Sequence, residues 1–346
     1  MSAKIITQSF NESTWPSAFP ILAGNYSLQD TLRLPSISPS DLAFLLTPST
    51  ALVALLLAFF ALNLKSVPFI WHLRVLNAFR FTIRTLRPAV FPRPSMVFQP
   101  MITSSSADLV ETDFNMHKTN SSYFSDADIA RAHLMSTLFA PAIERMRGGS
   151  GAYTGAGRPL FGLALGAVSC SFRREISPGS SFDMWTRVLA WDEKWFYVAT
   201  HFVRSGAGCP GQSSLYPGQA PRAGSRPFKA DADLYATALG RCVFKSGRKT
   251  VSPGDMLRMA GLVPEEDGKT EGLDENVRDE LLDVEENRQR GMKLADKLSR
   301  EHQLALEAEF ASGEGEVLGR HADGTGLAGV ILTLLQLAGL RRKPYL

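Results

Sequence analysis

The chain is 346 residues long, 45% hydrophobic and 21% charged. That length suits about two domains, and that composition excludes a disordered or fibrous protein. Its 37 basic and 34 acidic residues leave a net charge of +3, too small a surplus for the strong field of a nucleic-acid binder. The three cysteines, Cys170, Cys209 and Cys242, form no CxxC pair. A disulfide framework and the common zinc-ribbon spacings are thereby excluded.

The distribution along the chain is uneven. Residues 42–64 carry no charge, and as a helix they would extend about 34 Å against a hydrocarbon core of roughly 30 Å. Residues 51–62 lack the polar stripe of a core helix. More than forty residues precede the run, which disfavours a cleaved signal peptide. The reading is therefore a transmembrane helix. Before it, Lys4 and Arg33 are offset by Glu12, Asp30 and Asp41; after it, residues 65–94 hold Lys65, Arg74, Arg80, Arg84, Arg87 and Arg93 and no acid. The positive-inside rule then places 1–41 in the lumen and the C-terminal bulk in the cytoplasm, in a single-pass arrangement. Asn11 and Asn25 head Asn-x-Ser triplets on the expected lumenal side and are candidate glycosylation sites. Between Trp71 and Arg87, Leu73, Leu76, Ile83 and Leu86 recur at helical spacing opposite arginines. Such a basic juxtamembrane helix suits an anionic leaflet, or simply a solvated face.

Residues 95–110 are strand-like. After Asn120, the apolar positions Phe124, Ala127, Leu134, Leu138 and Ile143 follow a helical period, with Arg131 interrupting the stripe. Ser121 or Ser122 suits the cap, Asp126 and Asp128 suit the first turns, and Gly148 and Gly149 end the helix. A polar turn bearing Asp113, Asn115, His117 and Asn120 precedes it. Strands are then expected over 163–176, 182–191, 194–204 and 234–245, with Asp192-Glu193 as a hairpin turn. One long helix followed by consecutive antiparallel strands indicates an α+β fold in which a sheet covers the helix. Residues 205–228 are dense in Gly, Pro and Ser and read as a flexible surface insertion, or else a lid.

Residues 253–262 suggest a short helix. From Glu275 to Phe310 the chain is rich in Glu, Leu, Lys and Arg; Leu281, Val284, Met292, Leu294, Leu298 and Leu304 give a partial apolar face, expected to pack on the domain rather than on a partner helix. Residues 327–340 are apolar but number only 14, too few to span a bilayer comfortably. They suit a docking helix or a half-inserted segment.

The run Asp113-Phe114-Asn115-Met116-His117-Lys118-Thr119-Asn120-Ser121-Ser122-Tyr123 resembles the D-x-N-x-H-x-x-N-x-x-Y signature of hotdog-fold acyl thioesterases. With YFSDADIAR, FRREISPGSSFDMWTRVLAWDEKWFYVATHFV and VFKSGRKTVSP, residues 65–262 look like the membrane-anchored thioesterase-like proteins of animals and fungi, among fungi most like those of secondary-metabolite clusters. Thr119 stands where the motif often has a second asparagine, and the 205–228 insertion is longer than a hairpin connection. The resemblance implies a hotdog domain over 95–262, a homodimer, no cofactor, Tyr123 on the substrate, and hydrolysis of acyl or polyketide thioesters carried on CoA or an acyl-carrier protein. An acyl-binding scaffold and a dehydratase are the rival uses of the same fold.

Thioester hydrolysis needs an activated water and a stabilised oxyanion. Asp113 can orient or deprotonate water, and the general-base route is preferred to direct attack. His117 titrates near neutrality and can serve as base or as proton donor to the leaving thiolate. Asn115 and Asn120 can fix water, orient His117 or hold the carbonyl, and the helix N-terminus offers backbone N–H groups and positive potential. Before a helix, Asp and Asn are also ordinary caps. The GxGxxG match at 324–329 has no βαβ context, and there is no GxSxG nucleophile elbow. His133, His201, His302 and His321 lack metal-ligand spacing, so no metal is expected.

Overall fold

The structure, a computed structural model, describes residues 47–81, 91–146, 161–209, 215, 226–264, 275–296 and 326–338. In chain order these form α1 (Pro48–Leu62), α2 (Ile70–Leu76), β1 (Met101–Ser106), α3 (Asn120–Met146), β2 (Phe161–Phe172), β3 (Ser181–Trp191), β4 (Phe196–Arg204), α4 (Ala230–Asp233), β5 (Leu234–Ser246), β6 (Lys249–Val251), α5 (Pro253–Ala260), α6 (Glu275–Ala295) and α7 (Gly326–Leu337). The chain divides into two compact units between Ala61 and Leu62. The expected sequons at Asn11 and Asn25, most of the 205–228 insertion and residues 297–325 lie outside the described residues.

The second unit is built on an antiparallel sheet in the order β1-β3-β4-β5-β2, with β6 also paired to β5. The α+β hotdog arrangement expected from the sequence is present: α3 lies against that sheet. Its buried side includes five alanines, Ala127, Ala130, Ala132, Ala140 and Ala142, among larger residues. Short side chains let a helix approach strands closely, and the larger Phe139 then fills the gap, meeting Phe196 at 5.4 Å and Phe244 at 5.0 Å edge-on. Fully burying one such aromatic contributes about 1.5–3 kcal/mol. At the other end of α3, Tyr123 packs edge-on against Phe172 and Phe202.

β3 alternates in part, with Arg187 exposed between buried Thr186 and Val188, whereas β4 is buried at all positions but His201 and Arg204. Trp191 pairs with Phe196 across a tight turn in which Asp192 Oδ1 accepts from the Lys194 and Trp195 amides, at 2.8 and 2.6 Å. That is the expected hairpin, closed by an Asx turn. The described ends of the insertion are held together by Gly208 N–H donating to the Arg226 carbonyl at 2.8 Å.

Two expectations need correction, and two others lie partly outside the described residues. Of the 42–64 span the structure describes 47–64, in which α1 has 15 residues, about 22 Å of helix; among the described residues no helix is long and apolar enough to cross a membrane. Residues 42–46 lie outside the described residues. Its C-terminal limit has a tertiary cause, because Asn63 is buried and its Oδ1 accepts from the Val110 amide at 3.0 Å. Second, of the basic amphipathic stretch 71–87 the structure describes α2 running into a π-turn at Asn77–Phe81, while Ile83, Arg84, Leu86 and Arg87 lie outside the described residues. Arg74, within α2, pairs with Asp126. Third, the strand expected over 95–110 shrinks to β1, flanked by 3-10 turns at Pro94–Met96 and Leu109–Glu111. Fourth, α3 begins at Asn120, so Ser121 and Ser122 lie inside its first turn.

Helix α6 packs on β3, as expected of the charged C-terminal helix. Its Arg288 donates to the Trp191 carbonyl at 3.0 Å, and Met292 and Ala295 join Ala190 and Tyr197. The register of β3 against β4 shifts between Val188 and Ala190, and Gly291 lies so close to this irregularity that a Cβ there would run into the Leu189 carbonyl. Backbone cannot yield as a side chain can. Gly291→Ala is therefore expected to destabilise the domain by about 1–3 kcal/mol, visible as a lower Tm in thermal denaturation. An unchanged Tm would mean that α6 does not rest on β3.

Candidate active site

The segment between β1 and α3 is a small hairpin. Thr112 and Lys118 form an antiparallel bridge. The Asp113 amide donates to the His117 carbonyl at 3.0 Å, and the Met116 amide donates to the Asp113 carbonyl at 3.0 Å. Asp113 Oδ1 accepts from the Asn115 amide at 2.9 Å, an Asx turn. Met116 takes φ of 61°, a left-handed conformation more often given to glycine. This turn places the side chains of Asp113 and His117 on the same side, with Nδ1 of His117 3.5 Å from Oδ1 of Asp113.

A second carboxylate faces the other ring nitrogen: Glu175 Oε1 lies 3.7 Å from His117 Nε2. Glu175 is brought there because the Lys118 amide donates to the Ile176 carbonyl at 2.9 Å, stitching the hairpin to the segment after β2. His117 is thus an imidazole between two carboxylates, within ion-pair reach of both. Asp113 and His117 are each about a quarter exposed, and Glu175 is largely exposed. Sequence reasoning quoted Glu175 within FRREISPGSS but gave it no role. Its only signal was an acid just before the Ser177-Pro178-Gly179 turn.

The other expected residues are less tightly gathered. Asn115 is joined to Asp113 by its backbone, and Asn120 opens α3 three residues after His117; both are exposed. Among the described residues neither amide side chain bonds Asp113 or His117. The Asn120 and Ser121 amides take no backbone partner among the described residues, and so remain available as donors at the helix start. Tyr123 is 2% exposed, deeper than a residue lining an open cleft. Burial pushes its phenol pKa up, and the nearby Cys170, Tyr235 and Glu175 add to this. Burial likewise raises the Cys170 thiol to about 11. Among the described residues no group of three His, Cys, Asp or Glu side chains gathers as a metal would need.

Beneath the hairpin sits a buried ion cluster. Asp126, on the second turn of α3, is 0% exposed; its Oδ2 meets Lys65 and Lys118 at 2.9 Å each, and its Oδ1 meets Arg74 at 3.1 Å. Glu111 Oε2 takes the same two lysines, at 2.7 and 2.9 Å. Burial pushes the Asp126 carboxyl up, but Lys65 and Lys118, as charges and as donors, more than reverse it and hold it below the usual carboxylate range.

Residues 109–260 match the thioesterase-like superfamily. Over 295 residues the chain is 35% identical to the probable thioesterase atnL of Emericella nidulans, covering 77% of this chain and 90% of that protein. The chain belongs to the thioesterase-like superfamily. This thioesterase is also 35% identical over 260 residues to thioesterase poxG of Penicillium oxalicum, covering 72% of this chain and 82% of that one. With thioesterase lcsJ of Purpureocillium lilacinum it shares 34% over 257 residues, 64% of this chain and 75% of that one. It is a thioester hydrolase by that kinship, and residues 109–260 contain the hairpin, α3 and strands β2 to β6.

The depressed Asp126 carboxyl has a consequence for stability. Its folded pKa lies below the unfolded value of about 3.9, so its contribution is fully present above that value and is lost as pH falls through the folded one. In Asp126→Asn thioesterase the acid limb of a Tm-against-pH curve is expected to flatten relative to wild type, with a lower Tm at pH 7. Parallel limbs would show that Asp126 is not held ionised by its lysines.

Proposed function

We propose that this chain hydrolyses acyl or polyketide thioesters carried on CoA or on a carrier protein, with Asp113 and His117 as the reacting pair. The observation that carries it is the imidazole of His117 held between Asp113 and Glu175 at the N-terminal end of the buried helix α3. Asp113 takes a proton from water as general base; the water oxygen attacks the thioester carbon. The developing oxyanion is met by N–H groups at the start of α3 and by the positive end of its dipole. Asn115 and Asn120 flank the pair and hold water or carbonyl. His117, with Glu175 behind Nε2, passes a proton to the departing thiolate, which leaves as free thiol beside the carboxylic acid. Tyr123, packed under Lys118 at 5.5 Å, supports the floor of the site.

The resemblance to fungal secondary-metabolite thioesterases favours a biosynthetic acyl or polyketide chain. It also favours a homodimer, whose second subunit would complete the site. We place the catalytic unit on the cytoplasmic side of a membrane, attached through residues 42–64. The uncharged α1, exposed along its length, and the basic residues that follow it support this. The apolar α7, with Leu327, Leu334 and Leu337 exposed, fits a second contact with lipid.

Purified full-length protein incubated with a panel of acyl-CoA and acyl-carrier-protein thioesters is expected to release free thiol. Asp113→Asn is expected to lower kcat by about 10²–10⁴-fold, and Glu175→Gln by less. Equal thiol release by wild type and Asp113→Asn would remove Asp113 from the mechanism. An unsaturated product with its thioester intact would reassign the reaction to dehydration, and acyl binding without release would reassign the protein to a scaffold. For topology, expressed protein is expected to resist alkaline extraction and to carry glycosidase-sensitive sugar at Asn11 or Asn25. Recovery in the soluble fraction would exclude the membrane attachment.

A further inference from the structure

We propose that Lys65 is a positioning residue for the thioester site, acting on the 111–119 hairpin through a closed ring of four charged groups. The proposal rests on the assignment of Asp113 and His117 above. The ring runs from Lys65 Nζ to Glu111 Oε2 at 2.7 Å, on to Lys118 Nζ at 2.9 Å, to Asp126 Oδ2 at 2.9 Å, and back to Lys65 at 2.9 Å. Charges alternate around it, and each oxygen serves both ammonium groups. Lys65 uses its third N–H on the Ser106 carbonyl at 2.7 Å, so all its donors are committed.

Two of the four corners are the base of the catalytic hairpin. Glu111 and Lys118 flank it, and its outermost rung is the Thr119 amide donating to the Glu111 carbonyl at 2.7 Å. Lys118 directly follows His117 and, through the Ile176 carbonyl, also positions Glu175. The third corner, Asp126, belongs to α3. Lys65 therefore joins the hairpin to the helix from outside both, contributed by a stretch some forty residues upstream. The surroundings make the ring stiff: Lys118 is wholly buried, and the Phe182 ring lies 5.6 Å from Lys65 Nζ and 5.4 Å from Lys118 Nζ. In such low-dielectric surroundings ionic contacts are strong and directional.

Removing Lys65 need not unfold the domain. Asp126 would keep Lys118 and Arg74, and Glu111 would keep Lys118, two cations for two carboxylates. What is lost is the closure, so Lys118 and the hairpin base can drift. A displacement of about 1 Å at reacting groups costs on the order of 10²-fold in rate.

The test compares full-length wild type, Lys65→Met and Lys65→Arg. Lys65→Met is expected to lower kcat about 10–100-fold with KM little changed, and Lys65→Arg to recover part of that loss. In a His117→Ala background, Lys65→Met should cost nothing further, since it acts through the hairpin. Amide hydrogen exchange supplies a readout independent of activity: residues 111–119 should exchange faster in Lys65→Met, with β3, β4 and β5 unchanged. Full kcat with unchanged exchange, losses that add to those of His117→Ala, or exchange rising evenly across the sheet would each overturn the proposal. Wild type inert toward every thioester, together with faster exchange at 111–119 in Lys65→Met, would sink the reaction assignment while leaving Lys65 as the hairpin's anchor.

Discussion

Asp126 is a carboxylate without access to water, and a buried charge left unpaired costs several kcal/mol. The chain meets that cost with three cations drawn from separate stretches: Lys65 and Arg74 from the segment after α1, and Lys118 from the catalytic hairpin. Each ties a different stretch of the chain to this end of the helix. The requirement thus fixes where the upstream segment docks, where the hairpin stands, and how deep the second turn of α3 sits beneath Phe182. Hydrophobic packing further along the helix, around Phe139, tolerates small shifts. Ionic contacts of 2.7 to 3.1 Å do not.

The site above this cluster is wetter. The general-base role proposed for Asp113 requires contact with water, and Asp113 and His117 are partly exposed, while Lys118 and Asp126 below them are fully buried. His117 Nδ1 lies 3.5 Å from Asp113 and Nε2 3.7 Å from Glu175, so neither ring nitrogen is held in a short hydrogen bond. The hairpin achieves this geometry partly through Met116, which accepts a left-handed backbone that most residues avoid. Strain of that kind is tolerated where the flanking ladder and the ion cluster over-determine the turn.

Local pattern revealed much of this arrangement. The expected strands match β3, β4 and β5 to within a few residues, although β4 and β5 are buried at most positions on both faces instead of alternating. The Ala-rich helix and the polar turn before it were equally plain. What escaped was set by distant partners. Lys65 read as one of several flanking charges, yet it is consumed inside the fold. Asp126 read as a first-turn acid favoured by the dipole, and it is instead the centre of the cluster. Glu175 carried no motif weight, since its proximity to His117 depends on a backbone bond between Lys118 and Ile176. Just past α1, Asn63 is drawn into the fold by the Val110 amide, a contact that no periodicity encodes.

The cluster also shapes the electrostatics of catalysis. Lys65, Lys118 and Arg74 against Glu111 and Asp126 is three positive charges against two negative, a surplus of one next to the first turns of α3. The helix adds roughly half a positive charge at the same end. Both have the sign that favours an anion forming there and disfavours an approaching cation. Because the groups are already fixed by one another, little reorganisation is needed when a carbonyl oxygen gains charge, which is the condition under which electrostatic stabilisation contributes most to rate. Asp113 and Glu175 stand outside that count, so the cluster and the helix dipole offset part of the negative charge those two carboxylates bring to the same end of α3.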